Sequence, residues 1–142
     1  MPRISVFNML VGFLALLLAM CGGVFVAYDA DKAFLYNKDL LMTWQYTLQK
    51  SAHGHLSLFG YCHILFGLTL PYSIISPRFK IWQTIGISLG SLAMSLLLVT
   101  RAWVGVAPLQ EDYLGIAIGS CLVCAMLALL AHTYGLMLKL MR

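Results

Sequence analysis

The sequence predicts an all-α membrane protein, a bundle of four transmembrane helices with both termini on the cytoplasmic side. The first observation behind this prediction is composition: of 142 residues, 61% are hydrophobic and only 10% are charged. A soluble domain carries about 25% charged residues, so this chain has too little polar surface to cover a water-soluble globule. The other two observations are four long apolar runs and the placement of basic residues around them.

The four apolar runs cover about residues 6–27, 52–75, 81–100 and 113–138. A helix needs roughly 20 apolar residues to cross a hydrocarbon core about 30 Å thick, and each run is close to that length. The runs are continuous and do not alternate, which favours helices over a β-barrel. We therefore expect one transmembrane domain, residues 1–142, whose first run is a retained helix and not a signal peptide.

Basic residues set the expected orientation. The link between the second and third runs is short and carries Arg78 and Lys80 without any acid. The five acidic residues lie in the first and third links: Asp29, Asp31, Asp39, Glu111 and Asp112. Because short basic links stay in the cytoplasm, the second link and both termini are expected there, in a bacterial-type cytoplasmic membrane.

The first outer link is long, about 25 residues, and predicts a further short helix. Asn37 is a suitable cap for a helix over about residues 38–50. Four apolar side chains would share one face of it: Leu40, Leu41, Trp44 and Leu48. We expect this amphipathic helix to lie on the outer membrane surface and to cover the mouth of the bundle.

Histidines are the side chains that point to chemistry, because an ionisable group inside a membrane is costly. His53, His55 and His63 fall on the second run. With 100° per residue, His53 heads a face of small residues that includes Gly60 and Gly67, and such a face packs inward or borders a flat cofactor. His55 points about 200° away, so the two cannot bind one metal ion from a regular helix.

These positions give the candidate sites. His53, His55 and His63 are the candidates for binding a cofactor, and His53 and His55 are the candidates for binding a metal. The expected cofactor is haem b or copper. The alternative for each histidine is a structural hydrogen bond to a carbonyl group, to water or to a neighbouring helix.

Three other features receive no functional assignment. His132 shares an inward stripe with Cys121, Ala125 and Ala128. It lies about 25 Å deeper than His53, so these two histidines cannot clamp one haem within the chain. Cys121 and Cys124 have redox spacing, but in mid-membrane we expect their thiols to be neutral core groups. Two small-residue motifs, Gly86–Gly90 and Gly115–Gly119, predict close helix packing.

Several functional classes are excluded. The net charge of +4 is spread thinly, with no basic run, so no nucleic-acid partner is expected. The sequence has no glycine-rich phosphate loop and no paired carboxylate in the membrane. The lack of acidic residues within the apolar runs also argues against a proton-coupled transporter.

The segment from Ser51 to Tyr61, Ser-Ala-His-Gly-His-Leu-Ser-Leu-Phe-Gly-Tyr, is followed by a Phe-Gly-Leu that begins at Phe66. Over about 20 residues this pattern resembles small four-helix bacterial proteins that are described as similar to the catalytic subunit I of haem–copper oxidases. The resemblance implies that His53, with His55 second, corresponds to a histidine that binds a low-spin haem near the outer surface. The copper-site histidines and the late helix that carries the second haem ligand have no counterpart here.

These observations lead to three expectations. The first is a small integral subunit of a membrane redox or respiratory complex, with a haem or metal near the outer face at His53 and with catalysis left to partner subunits. The second is a structural or assembly subunit of a larger membrane complex without a cofactor. The third is a metal- or quinone-binding membrane protein that uses an outer mouth formed by His53, His55 and the helix of Trp44.

Overall fold

The computed structural model describes residues 1–36, 39, 43–105 and 110–141. Throughout this part of the chain the secondary structure is helical. Helix α1 is Arg3–Tyr36, α2 is Trp44–Thr69, α3 is Pro77–Val104 and α4 is Tyr113–Leu140. A 3₁₀ turn, Leu70–Tyr72, follows α2, and α3 contains a π-helical segment, Ala93–Leu97.

The helices run alternately up and down, with α2 packed against both α1 and α3. Helix α4 packs mainly on α3. We name the ends of the bundle after the predicted topology. At the inner end α1 and α3 begin and α2 and α4 end, and the outer end is opposite.

Three of the described helices, α1, α3 and α4, are long and apolar enough to cross a membrane. Their outward faces carry large apolar side chains, among them Phe13, which is 57% exposed, and Leu130, which is 63% exposed. Exposed apolar patches of this extent are rare on soluble monomers, because water disfavours them. The fold is therefore that of an all-helical membrane protein.

Helix α1 is longer than the run that predicted it. The sequence expectation ended near residue 27, but the helix continues to Tyr36. The reason is that hydropathy marks where lipid contact would end, whereas a helix ends only at a breaker or a cap. Residues 28–36 contain neither glycine nor proline, and Lys32 lies over the ring of Tyr28 with its Nζ atom 4.4 Å from the ring centroid.

The structure corrects the prediction of a separate surface helix over residues 38–50. The chain is helical from Trp44, but there it forms the first two turns of α2 and continues without a break. Thr43 caps the helix, because its side chain accepts a hydrogen bond from the Tyr46 amide. Leu48, which is buried, packs against α3 and α4 and not on a membrane surface. The proposed cap Asn37, together with Leu40 and Leu41, lies outside the described residues.

The other boundaries agree more closely with expectation. Helix α4 matches its run at both ends, and α3 begins and ends four residues beyond its run. Helix α2 ends at Thr69, six residues before the predicted end, because Pro71 lacks the amide hydrogen that would continue an α-helix.

The two small-residue motifs behave differently. A β-carbon placed on Gly90 would lie 2.5 Å from the Ala125 Cβ, and one on Gly86 would lie 2.9 Å from the Ala128 Cβ. These glycines therefore let α3 and α4 approach closely, as predicted. Among the described residues Gly119 has nothing within 4 Å of an added β-carbon, and Gly115 meets only the side chains of Arg101 and Asp112 at the outer end. The second motif therefore does not bring two helix backbones together within the described residues.

Candidate ligand groove

An apolar groove of about 660 Å³ lies between α1 and α3, with α2 at its base. We call it the outer groove. Its lining on α1 runs from Val11 to Asp29 and includes Ala15, Ala19 and Gly22; on α2 it includes Gln49, Ala52, His53 and Leu56; on α3 it includes Ser91, Ser95, Leu96, Val99 and Trp103. It exists because α1 touches α3 mainly near the inner end, where Asn8 bonds to Thr84, while both helices stay in contact with α2.

His53 is the one histidine among the groove-lining residues. Its ring lies against Gly23 of α1, where an added β-carbon would come within 2.8 Å of the His53 Cε1 and 3.4 Å of its Nε2. The Nδ1 atom is buried and has no hydrogen-bond partner in the described part of the chain. The His53 ring borders the groove, and an imidazole ring in that position can offer a nitrogen to a donor, an acceptor or a metal centre of a ligand that reaches it.

The small-residue face that His53 heads meets α1, as the sequence predicted. A β-carbon on Gly12 of α1 would lie 2.6 Å from the Gly60 carbonyl oxygen, and one on Gly67 would lie 2.6 Å from the Ser5 carbonyl oxygen. At these positions the backbones of α1 and α2 approach closely, and this packing holds the two helices together at the base of the groove. Because the same face continues outward, it carries the His53 ring onto Gly23 and beside the groove.

The opposite wall of the groove contains the π-helical segment of α3. Ser95 and Leu96, which lie within Ala93–Leu97, line the groove, and so does Ser91 just before it. Single π-turns occur frequently at functional sites, because the wide turn displaces side chains from their regular positions. The Ser95 hydroxyl donates to the Ser91 carbonyl oxygen at 2.7 Å.

The groove is long. Asp29 and Val11, the ends of the lining on α1, are 18 positions apart, about 27 Å at 1.5 Å per residue. The level of Gly23 and His53 lies about 9 Å from the Asp29 end. Polar side chains such as Asp29, Gln49 and His53 are concentrated toward the outer end, and the inner part is lined by apolar residues such as Val11 and Leu14.

His55 does not join His53. Its Nδ1 lies 2.8 Å from the Ser51 carbonyl oxygen and 3.2 Å from the Ser51 hydroxyl, so the ring folds back on its own helix. It is not among the residues that line the groove. Within the described ranges, no group of three or more His, Cys, Asp or Glu side chains is arranged to hold a metal ion. The two histidines predicted as metal candidates are therefore not brought together.

His63 lies in an interhelical hydrogen-bond network deep in the bundle. The ring is fully buried and its Nδ1 is 3.0 Å from the Asn8 Oδ1. Asn8, also fully buried, donates from Nδ2 to the Ile4 carbonyl oxygen and to the Thr84 hydroxyl, each at 2.9 Å. His63 thus links α2 to α1 and, through Asn8, to α3.

His132 makes a second interhelical link. Its Nε2 lies 2.8 Å from the Thr69 hydroxyl, and its ring contacts the ring of Phe66 with the centroids 4.4 Å apart. Of the inward stripe predicted for α4, Ala125, Ala128 and His132 are buried and Cys121 is half-buried. Cys121 and Cys124 are free thiols on the same helix.

An ion pair joins α3 to α4 at the outer end. Asp112 precedes α4 and caps it by accepting the Gly115 amide at 2.7 Å, while its Oδ2 accepts from the Arg101 Nε at 2.8 Å. The Gly115 amide and then the Arg101 guanidinium hold the pKa of the Asp112 carboxyl below its ordinary value of 3.8. This pair tethers α3 to α4 close to the Trp103 end of the groove.

Comparisons with protein-family models, with curated proteins and with solved structures give no match to this chain.

Sequence reasoning missed three residues that matter for these sites. Gly23 gave no signal of its own, since a glycine in an apolar run is common. Asn8 did give one: it is a lone amide in an otherwise apolar run, and such side chains usually bond across helices. The role of Thr84 follows only from its hydrogen bond to Asn8 on another helix, and the sequence alone does not show that contact.

Proposed function

We propose that this chain is a small integral subunit of a membrane redox or respiratory complex and that the outer groove holds a haem b through His53. The observation that carries the proposal is the His53 imidazole, which has no hydrogen-bond partner on the buried Nδ1 and borders an apolar groove of about 660 Å³. Pockets for cofactors typically have volumes of about 300–1,000 Å³ and few polar groups, and this groove agrees on both counts.

The groove residues are compatible with a flat apolar macrocycle. Small side chains on α1, such as Ala15, Ala19 and Gly22, leave room beside the His53 ring. When bound, a haem would supply one-electron transfer, and the chain would supply the His53 imidazole and a low-dielectric surrounding that tunes its potential. Among the groove-lining residues that the structure describes, His53 is the single histidine, so a second haem ligand would come from a partner subunit.

The proposed topology is four spans with both ends in the cytoplasm, in a bacterial-type cytoplasmic membrane. Helix α2 is the additional span. Its 26 residues reach about 39 Å, enough to cross a bilayer, and three apolar helices surround or adjoin it. The lower hydropathy of α2 agrees with a position between other helices, because polar side chains of α2 bond to them: His63 to Asn8 of α1 and Thr69 to His132 of α4.

The lateral opening of the groove supports the proposal that partner subunits complete the site. Its mouth lies between α1 and α3, next to outward side chains such as Phe25 and Trp103, which are 71% and 77% exposed. A transmembrane helix of a partner could approach there and bring its own ligand. Catalysis would then belong to the assembled complex and not to this chain alone.

The test is a visible spectrum with haem quantification on natively purified protein, comparing His53→Ala with His55→Ala. His55 is the matched control, because it is two residues away on the same helix but bonds to Ser51 outside the groove. We expect haem in the wild type and in His55→Ala, and its loss in His53→Ala with helix content unchanged. Wild-type protein that is colourless while it retains its partners would overturn the proposal.

A quinone is a second candidate ligand, and the shape of the groove favours it. The groove continues about 18 Å inward from the level of Gly23 to Val11, which is longer than a compact ring system requires and suits an isoprenoid tail. His53 would then donate to or accept from the quinone head. Equilibrium binding of a labelled quinone to the colourless protein, lost in His53→Ala but kept in His55→Ala, would support this ligand over haem.

A cofactor-free structural subunit is the third candidate. The observation that favours it is that His63 and His132 both serve as interhelical hydrogen-bonding groups. Stoichiometric copurification of colourless, quinone-free protein with a larger membrane complex would support it. Copper binding at His53 and His55 is less well supported, because their rings lie on different faces of α2.

A further inference from the structure

A second groove lies along the outward side of the contact between α3 and α4, in the inner half of the bundle. We call it the seam groove, and its volume is about 310 Å³. At its floor the two helices are closest, since a β-carbon on Gly86 would lie 2.9 Å from the Ala128 Cβ. Its rims are large apolar side chains such as Trp82 and Leu127, which are 68% and 61% exposed. The groove is therefore open sideways, toward the lipid.

The length of the seam groove matches one leaflet of a bilayer. On α3 its lining begins at Phe79, two residues from the inner end of the helix, and ends at Leu89. These residues are ten positions apart, about 15 Å, and the hydrocarbon core of a bilayer is about 30 Å thick. A transmembrane helix of a partner would need a surface over the full thickness, whereas an acyl chain of one lipid needs only this half.

Positive charge is concentrated at the inner end of the seam groove. Arg78, which is exposed, lies one helical turn inward of Trp82 on the same face of α3. On α4 the exposed Lys139 lies farther inward and within about 20° of the stripe of Ala128. Neither cation forms an ion pair within the described part of the chain. All five acidic residues of the sequence lie in the links at the opposite end, so this charge is not neutralised by the chain itself.

The start of α3 adds to the attraction for an anion at the same place. Pro77 is the first residue of the helix, and the side chain of Ser76 before it makes no capping hydrogen bond. The first amides of a helix have no partner within the helix, and the helix dipole favours negative charge there. A phosphate group beside Arg78 would thus meet both a guanidinium and the positive end of a helix.

Lys80 is close in sequence but belongs to a different contact. Its Nζ donates to the Ser73 carbonyl oxygen at 2.8 Å, and it lies about 160° around α3 from Trp82. This lysine therefore holds the inner link against α3 on the side away from the seam groove. It offers a control in which a charge is removed from the same end of the bundle but from the other face.

We propose that the seam groove binds one anionic phospholipid, with an acyl chain over Gly86 and Ala128 and the phosphate at Arg78. Basic sites between transmembrane helices at the membrane surface bind anionic headgroups, and here such a site adjoins an apolar groove of one-leaflet length. A zwitterionic lipid could fill the groove equally well with its chain, but its headgroup would gain less from the two uncompensated cations. The proposal is independent of any ligand in the outer groove.

Quenching of Trp82 fluorescence by lipids with brominated chains tests this proposal. The full chain carries Trp44→Phe and Trp103→Phe, which leave Trp82 as its single tryptophan. It is reconstituted in phosphatidylcholine vesicles that contain equal fractions of brominated phosphatidylglycerol or brominated phosphatidylcholine. We expect a preference for phosphatidylglycerol of about fivefold, the effect of one basic residue at a membrane surface. Arg78→Gln should abolish this preference, and Lys80→Gln should keep it.

Ala131→Leu tests the groove separately from the charge. Ala131 lines the groove, so a leucine there should fill it and reduce the preference although no charge changes. Each variant is compared at the helix content of the wild type, measured by circular dichroism. Equal quenching by the two lipids, or an equal loss of preference in Arg78→Gln and Lys80→Gln, would overturn the proposal. Trp82 that neither lipid quenches would also overturn it, because a second copy of the chain would then cover the seam.

Discussion

The imidazole of His53 and the backbone of Gly23 are in direct contact across the α1–α2 interface. A β-carbon on Gly23 would lie 2.8 Å from the His53 Cε1, closer than van der Waals contact allows. Gly22, its neighbour, would place a β-carbon in open space. The position of the His53 ring beside the outer groove therefore depends on the absence of a side chain at one residue of α1.

Replacement of Gly23 by alanine should displace the His53 ring and destabilise the α1–α2 contact. Overpacking of this kind costs about 1–3 kcal/mol. The matched control is Gly22→Ala, which should be neutral or slightly stabilising because alanine favours a helix by roughly 0.5–1 kcal/mol over glycine. Thermal unfolding in detergent measures both variants, and equal stabilities would contradict the described contact.

The Asn8–Thr84 hydrogen bond predicts a cost for Thr84→Val. The substitution keeps the shape of the side chain but removes the acceptor of the Asn8 Nδ2, and it should destabilise the bundle by about 1 kcal/mol. Thr100→Val is the control, because the Thr100 hydroxyl is exposed and bonds only to the Leu96 carbonyl oxygen of its own helix. A double-mutant cycle with Asn8→Ala should show coupling for Thr84 and none for Thr100.

Close packing of α3 on α4 predicts that Gly90→Ala is harmful. The added methyl group would lie 2.5 Å from the Ala125 Cβ and 3.0 Å from the Phe59 ring, so the helices would have to separate, at a cost of about 1–3 kcal/mol. Gly119→Ala, on the exposed face of α4, has nothing within 4 Å and serves as the control. If both variants unfold at the wild-type temperature, the α3–α4 packing described above is wrong.

The Asp112 carboxylate, which the Gly115 amide and then Arg101 stabilise, predicts a pH dependence of stability. The pKa of Asp112 is lowered in the folded protein from its ordinary value of 3.8, so the folded state binds this proton less readily than the unfolded state. The stabilisation is fully present above pH 3.8 and is lost as the pH falls from there through the lowered pKa.

Asp112→Asn isolates that contribution, since asparagine can still cap α4 but carries no charge. Wild type should be more stable than the variant at neutral pH, and the difference should vanish in acid. Unfolding curves of both proteins across this range provide the measurement. A difference that stays constant with pH would show that the charge of the carboxylate does not account for the effect of Asp112.

Part of the candidate site could be predicted from the sequence, because the positions of its residues around the helix depend on helix periodicity alone. Once α2 is a helix, 100° per residue puts His53 on the face of Gly60 and Gly67 and turns His55 away from it. The structure has both features, with the small-residue face against α1 and His55 folded onto Ser51. The haem or quinone expected at His53 stays a proposal.

Other features depend on contacts between distant residues, and no local pattern encodes them. The first outer link was expected to hold a separate surface helix, because its apolar residues have helical spacing. Helical spacing of apolar residues predicts that one face of the helix is shielded from water, but it does not predict whether lipid or protein shields it. In the folded bundle Leu48 packs against α3 and α4. Likewise, the bond of His63 to Asn8 joins residues 55 positions apart, and only the antiparallel register of α1 and α2 brings them together.

The sequence by itself determined that the chain is apolar, that it is helical, and which residues share a face of each helix, because hydropathy and a fixed helical repeat act along the chain. Only the tertiary structure decided that α1 and α3 stay apart at the outer end, leaving a groove beside His53, and meet at Asn8 and Thr84 near the inner end. The physical reason is that helix separation is set by the sizes of facing side chains on different helices. Such pairs, for example Gly23 with His53, become neighbours only in the folded bundle.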